Sequence, residues 1–162
     1  WVDDQDAFPG ARTHWADVDF DGYGDNESGV DADDCPNIGG NSTIDRLGCI
    51  DTDGDGRSDP GFSWAVVNGA DEFRLESTQW SDFDEDGYGD ELAGFEGDSC
   101  PTVSGFSQSD RFGCPDTDRD GYSDPDANWT LADGADAYIE DPFTHIFVEP
   151  EPVKSDEENF FV

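Results

Sequence analysis

The chain has 162 residues, enough for one domain or two small ones, with 42 acidic against 7 basic residues and a net charge of −35. Leu, Ile, Val and Phe fill only 30 positions, below the roughly 20% at which a highly charged chain builds an apolar core. That composition argues against a conventional hydrophobic core, and the charge excludes nucleic acid and anionic membrane as partners. Yet 5 Trp, 4 Tyr and 12 Phe are too many aromatics for ordinary disorder. Something other than apolar burial must hold the chain, and bound metal is the candidate. The acid is also the turn-forming kind, 31 Asp against 11 Glu.

Residues 1–14 read as the end of a preceding repeat unit, because Asp6-Ala7-Phe8 matches Asp71-Glu72-Phe73 and Asp136-Ala137-Tyr138. Two full units follow, 15–79 and 80–138. Shifted by 65 residues, the sequence aligns on itself without a gap, and 30 of 59 positions are identical between 15–73 and 80–138. The segment 139–162 departs from the pattern. Its Thr144-His145-Ile146 aligns with Thr13-His14-Trp15 only if one residue is inserted. It reads as an inter-subunit strand (Phe143–Val148) and an acidic tail (149–158) ending in the apolar Phe160-Phe161-Val162.

Each unit carries two copies of Asp-x-Asp-x-Asp-Gly-x-x-Asp: 17–25, 51–59, 82–90 and 116–124. Carboxylates at alternate positions followed by glycine can wrap a hard cation, and calcium takes six to eight oxygen ligands from loops of this spacing. Asp17, Asp19 and Asp21 are assigned as side-chain ligands, Tyr23 as a carbonyl ligand and Asp25 as a direct or water-mediated one. The same roles fall to Asp51, Asp53, Asp55, Arg57 and Asp59, to Asp82, Asp84, Asp86, Tyr88 and Asp90, and to Asp116, Asp118, Asp120, Tyr122 and Asp124. Asp33 and Asp98 are expected as extra ligands or as a bridge to a neighbouring ion. The bidentate Glu usual at position 12 is missing, since Ser28 and Ala93 stand there. Further ligands must arrive from elsewhere in the chain. The expectation is calcium, about four or more ions, with magnesium the lesser alternative.

Four cysteines form two pairs of one spacing, Cys35 with Cys49 and Cys100 with Cys114. No Cys-x-x-Cys pattern suggests zinc or redox chemistry. Two local disulfides, each contributing about 3 kcal/mol by loop entropy, point to an oxidising, extracellular compartment. The chain starts at Trp1 and has no apolar run of membrane-spanning length, so it reads as a processed, secreted form. Asn26, Asn41 and Asn128 open N-glycosylation sequons, with Asn41 the favoured acceptor and Asn26 crowded by its loop.

Secondary structure is sparse, because 19 Gly and 9 Pro punctuate the chain. Short strands are expected at 62–67, 129–131 and 144–148, and prolines beside the loops disfavour the flanking helices of EF-hands. Trp15, Trp80, Trp64 and Trp129 recur once per unit and read as packing between loops rather than as sugar platforms. His14 and His145 are expected at the surface. No nucleophile–base constellation is visible.

The segments Asp6–Pro9, Trp15–Asn26 and Gly113–Pro125 resemble thrombospondin type 3 repeats, and more closely the related calcium-binding repeats of large bacterial and archaeal surface proteins. The resemblance covers about 6–138. It implies acidic loops wrapped around strings of calcium ions, little regular structure and units assembled into stalks. The longer spacers and the Trp64 and Trp129 segments depart from the thrombospondin form. The expectation is a mostly irregular, disulfide-stapled, elongated tandem repeat: a non-enzymatic extracellular rod or stalk, able to associate head-to-tail as the subunit of a fibre. The rival reading is a dockerin-like or adhesin-type module that binds protein or carbohydrate. The dockerin form requires helices after each loop.

Overall fold

The computed structural model describes residues 6–147. Over that span the backbone is almost wholly turns and bends. The regular pieces are one 3₁₀ turn, Val66–Asn68, and two isolated bridges, Gly24 to Ala32 and Gly61 to Trp64. An irregular, disulfide-stapled architecture was expected, and it is what forms. No described helix is long and apolar enough to cross a membrane.

The three expected strands do not form among the described residues. Around 62–67 the chain folds back at once, Gly61 and Trp64 bonding each other's carbonyls before the 3₁₀ turn begins. Around 129–131 the donors a ladder would need go to carboxylates: Asp126 accepts from Asn128 and Trp129, and Asp133 accepts from Thr130. Around 144–147 the Asp141 carbonyl takes the Thr144 N–H in a turn. Val148, the acidic tail 149–158 and Phe160-Phe161-Val162 lie outside the described residues. The cause is general: aspartate accepts nearby N–H groups and so offers the backbone an alternative to sheet.

Both expected disulfides are present, Cys35–Cys49 and Cys100–Cys114, with Cα separations of 5.1 and 5.0 Å. Each closes a loop whose inner turn leaves no room for a side chain. A Cβ on Gly40 would lie 2.0 Å from the Cys49 carbonyl, and one on Gly105 equally close to that of Cys114.

The interior is polar. The buried apolar residues among those described are Cys49, Ala70, Cys114 and Ala135, while Phe20, Phe62, Phe83 and Phe143 face solvent. Buried serines and aspartates take the place of a core. Asp45 accepts from the hydroxyls of Ser42 and Ser58 and from the backbone N–H groups of Arg46 and Ser58. Asp110 repeats the set with Ser107, Ser123 and Arg111. Burial would raise both carboxyls, but their hydrogen bonds outweigh it and hold them below the usual value of 3.8.

Cation–π contacts cover three of the four recurring indoles, with Arg46 over Trp64 at 5.6 Å, Arg111 over Trp129 at 5.5 Å and Arg57 over Trp80 at 4.7 Å. His145 answers to Trp15 and Trp80 without any insertion. Its carbonyl accepts the Ala137 N–H as the carbonyls of Trp15 and Trp80 accept those of Ala7 and Glu72. Matching Thr144-His145 to Thr13-His14 by identity was therefore off by one residue. The imidazole lies stacked on Tyr122 with centroids 3.6 Å apart.

His14 is buried rather than at the surface. Its Nε2 donates to the Val30 carbonyl, while Nδ1 is buried without a partner. Gln79 stands at the equivalent place and bonds the Glu91 N–H and the carbonyls of Glu91 and Phe95. His14→Gln is therefore expected to stabilise the protein by about 1 kcal/mol, read as a higher calorimetric midpoint in calcium. An unchanged or lower midpoint would show that the two positions are not equivalent.

Candidate metal centres

Four triads of carboxylates converge: Asp17, Asp19 and Asp21; Asp51, Asp53 and Asp55; Asp82, Asp84 and Asp86; Asp116, Asp118 and Asp120. In each, one oxygen per residue lies within 4.8 Å of the others. The backbone explains why. The first carboxylate accepts N–H groups from within its own loop. Asp51 takes those of Gly54 and Gly56, Asp17 those of Phe20 and Gly22, and Asp116 those of Arg119 and Gly121. Asp82 takes those of Asp86 and Gly87. The curl puts positions 4 and 6 at positive φ in every loop: Phe20, Gly54, Glu85 and Arg119 at 61 to 84°, and the position-6 glycines at 96 to 98°. Only glycine takes that conformation freely, which is why position 6 is always Gly.

The fifth-position carboxylates, Asp21, Asp55, Asp86 and Asp120, accept the N–H groups of Tyr23, Arg57, Tyr88 and Tyr122. The peptide expected to supply a carbonyl ligand is thereby held in place. At position 9, Asp25, Asp59, Asp90 and Asp124 latch the loop by accepting the N–H of position 2. In loops two and four the hydroxyls of Thr52 and Thr117 add a second bond. These carboxylates thus have a structural task beyond the direct or water-mediated ligand role expected of them.

A fourth carboxylate approaches each loop from outside. The N–H of Asp33 bonds the Gly24 carbonyl, that of Asp98 the Gly89 carbonyl, that of Asp71 the Ser58 carbonyl and that of Asp136 the Ser123 carbonyl. All four bonds go to position 8 of a loop. In each remote aspartate Oδ1 accepts the N–H two residues on, from Cys35, Cys100, Phe73 and Tyr138, and Oδ2 is buried without a partner. All four residues are at most 3% exposed. Burial, then the charges of Asp21, Asp19 and Asp25, pushes Asp33 up from 3.8 to about 6. Burial and the first, third and fifth carboxylates of 82–90 do the same to Asp98. Burial, with Asp55, Asp53 and Asp59, raises Asp71 to about 6, and burial with Asp120, Asp118 and Asp124 raises Asp136. Those neighbours identify the loop that each residue completes.

Asp33 and Asp98 were legible in the sequence, but Asp71 and Asp136 were missed. The signal was present, because Gly-Ala-Asp recurs at 69–71 and 134–136. On its own it marks only the repeat.

The donor set fits a hard cation. Among the described residues, eleven of the fourteen buried side-chain atoms without a partner are carboxylate oxygens of these loops and their remote aspartates. The half-buried carboxylates of Asp45 and Asp110, outside these sites, are by contrast saturated with donors. An unpaired buried carboxylate facing others is costly, and a divalent ion reverses the sign of that term. All-oxygen ligation suits calcium, magnesium or manganese.

Of the sequons, Asn41 and Asn128 are exposed, while the Asn26 amide donates to the Thr13 carbonyl at 2.6 Å. No protein-family model matches the chain, and no curated protein matches it.

Proposed function

We propose that this chain is a non-enzymatic, extracellular structural protein, stiffened by about four or more calcium ions into a rod or stalk of tandem units. One observation carries the reading: buried carboxylate oxygens without donors gather at four equivalent loops and almost nowhere else among the described residues. Asp17, Asp19, Asp21 and Asp33 would hold one ion, and Asp51, Asp53, Asp55 and Asp71 a second. Asp82, Asp84, Asp86 and Asp98 would hold a third, and Asp116, Asp118, Asp120 and Asp136 a fourth. Each ion supplies positive charge that turns repelling carboxylates into a cross-link between a loop and a later segment. Extracellular calcium fills sites of modest affinity and favours the ordered form by mass action.

The resemblance to thrombospondin type 3 and prokaryotic surface repeats supports the stalk reading, and two disulfides support an oxidising compartment. Head-to-tail association of such units would yield a fibre. Residues 6–147 contain no α-helix, so they lack the helices on which a dockerin-like module would present its recognition face. Calorimetric titration with calcium, beside circular dichroism with and without chelator, tests the proposal. Uptake of about four ions coupled to ordering is expected. Absence of calcium uptake would sink it.

A further inference from the structure

The four loops leave their oxygens free in two different ways. In 17–25 and 82–90 the third carboxylate is bare, with both oxygens of Asp19 and both of Asp84 buried without a partner. The N–H groups of Asp21 and, in the second unit, of Asp86 and Val103 approach them without reaching hydrogen-bond geometry. The fifth carboxylate is instead engaged on both oxygens. Asp21 accepts the N–H of Tyr23 on Oδ1 and that of Gly40 on Oδ2, and Asp86 accepts those of Tyr88 and Gly105. Gly40 and Gly105 lie inside the loops that the cystines close. In 51–59 and 116–124 the pattern inverts. Asp53 and Asp118 each give Oδ1 to the N–H two residues on, at 3.3 and 3.1 Å, and only Oδ2 stays unpaired. Asp55 keeps a buried, unpaired Oδ2, and the Asp120 Oδ2 faces the His145 Nδ1 at 3.8 Å.

The fourth carboxylate is common to both kinds: Asp33, Asp71, Asp98 and Asp136 are at most 3% exposed, and each brings one unpaired Oδ2. In 17–25 and 82–90, therefore, two of the three buried, unpaired oxygens sit on a single carboxylate, whereas in 51–59 the three come from Asp53, Asp55 and Asp71. That distribution selects between ions. Calcium accepts a bidentate carboxylate within a flexible sphere of six to eight oxygens, while magnesium demands near-ideal octahedral geometry at shorter distances. The two oxygens of one carboxylate lie too close together to fill adjacent corners of an octahedron without strain. Single oxygens from separate carboxylates can fill them. Building on the calcium-binding reading, we propose that Asp19 and Asp84 are bidentate ligands that make 17–25 and 82–90 selective for calcium, and that 51–59 and 116–124 also accept magnesium. Each unit then carries one selective and one permissive site. Where magnesium abounds and calcium falls, the selective pair keeps its calcium and goes on tying the cystine loops to 17–25 and 82–90.

Calorimetric titration of the full chain with calcium chloride, alone and with magnesium chloride at about ten times its own dissociation constant, is the test. In magnesium the four calcium ions are expected to split into two pairs, one weakened roughly tenfold by competition and the other unchanged. Asp19→Asn leaves one oxygen to ligate. It should weaken calcium at its site by about tenfold or more and give that site the calcium-to-magnesium ratio of 51–59. Asp53→Asn should weaken both ions alike and leave the ratio of its site as it was. Four ions that all resist magnesium, or all yield to it, overturn the selectivity and leave the calcium reading intact. An Asp19→Asn chain whose first site still discriminates overturns it equally. A parent chain that takes up no calcium would sink both.

Discussion

Removing divalent ions with both cystines intact is expected to lower the melting midpoint of residues 6–147 steeply, towards room temperature. At 4.8 Å and an effective dielectric of about 20, each pair of unit charges repels by about 3–4 kcal/mol. Three such pairs in one loop reach on the order of 10 kcal/mol, comparable to the whole stability of an ordinary domain at ~5–15 kcal/mol. Four loops carry that burden, and the apolar interior offered against it is two half-cystines and two alanines. Near-ultraviolet circular dichroism and hydrogen exchange should both report the collapse. A melting curve indifferent to EDTA would refute the account.

The same charges set opposite pH responses for the two forms. In the ion-free fold Asp33, Asp71 and Asp98 titrate near 6 rather than 3.8. A raised carboxyl pKa contributes stability that is fully present below the unfolded value and is lost as pH rises through the folded one. Residual structure in chelator should therefore grow as pH falls from 7 towards 4. Below that, Asp45 and Asp110 work the other way, since their lowered pKa contributes stability that is lost on acidification. In calcium the trend from 7 to 4 reverses, because protons compete with the ion for the same oxygens. Parallel melts across that range, with and without chelator, should diverge. Curves of one slope would mean that these carboxylates face no cation.

Asp71→Asn is expected to weaken one calcium ion by on the order of 100-fold while making the ion-free fold more stable. Asparagine keeps the oxygen that accepts the Phe73 N–H, so the turn survives. It removes the buried charge that burial and Asp55, Asp53 and Asp59 disfavour. The outcome is a crossing: the variant melts below the parent in millimolar calcium and above it in EGTA. Asp136→Asn should behave alike at the fourth loop, where Asp136 is fully buried. By contrast Asp45→Asn, at a carboxylate saturated with donors, should destabilise both forms. Thermal melts of the three variants in both buffers decide the matter. If Asp71→Asn lowers the midpoint in EGTA as well, Asp71 is a structural aspartate and no ligand.

Much of the centre was legible because ligand spacing within a loop is local. Asp17, Asp19 and Asp21 meet because a glycine directly after the third acid lets the loop curl, and that is written in the loop itself. Asp71 lies twenty positions beyond Asp51, and what delivers it is one hydrogen bond from its N–H to the Ser58 carbonyl. Nothing in the local pattern sets that bond apart from any other in a loop. The strands failed for a related reason. Propensity at Trp129 counts the side chain but not an aspartate three residues away that takes the backbone donor first. His14 was misjudged because a lone histidine in a polar stretch gives no hint that its ring fills the space left by Gly24.

Composition and repetition alone determined that this chain has four acidic loops in two matching units, two local cystines and no apolar core. Those are counts and spacings, and they hold whatever path the backbone takes between them. Only the tertiary structure decided which distant aspartate completes the second and fourth loops, and which carboxylates stand without donors rather than saturated by serines. It also decided that His145 takes the place of Trp15 and Trp80. These depend on where remote backbone carbonyls come to rest, and that follows from the cooperative closure of the whole unit.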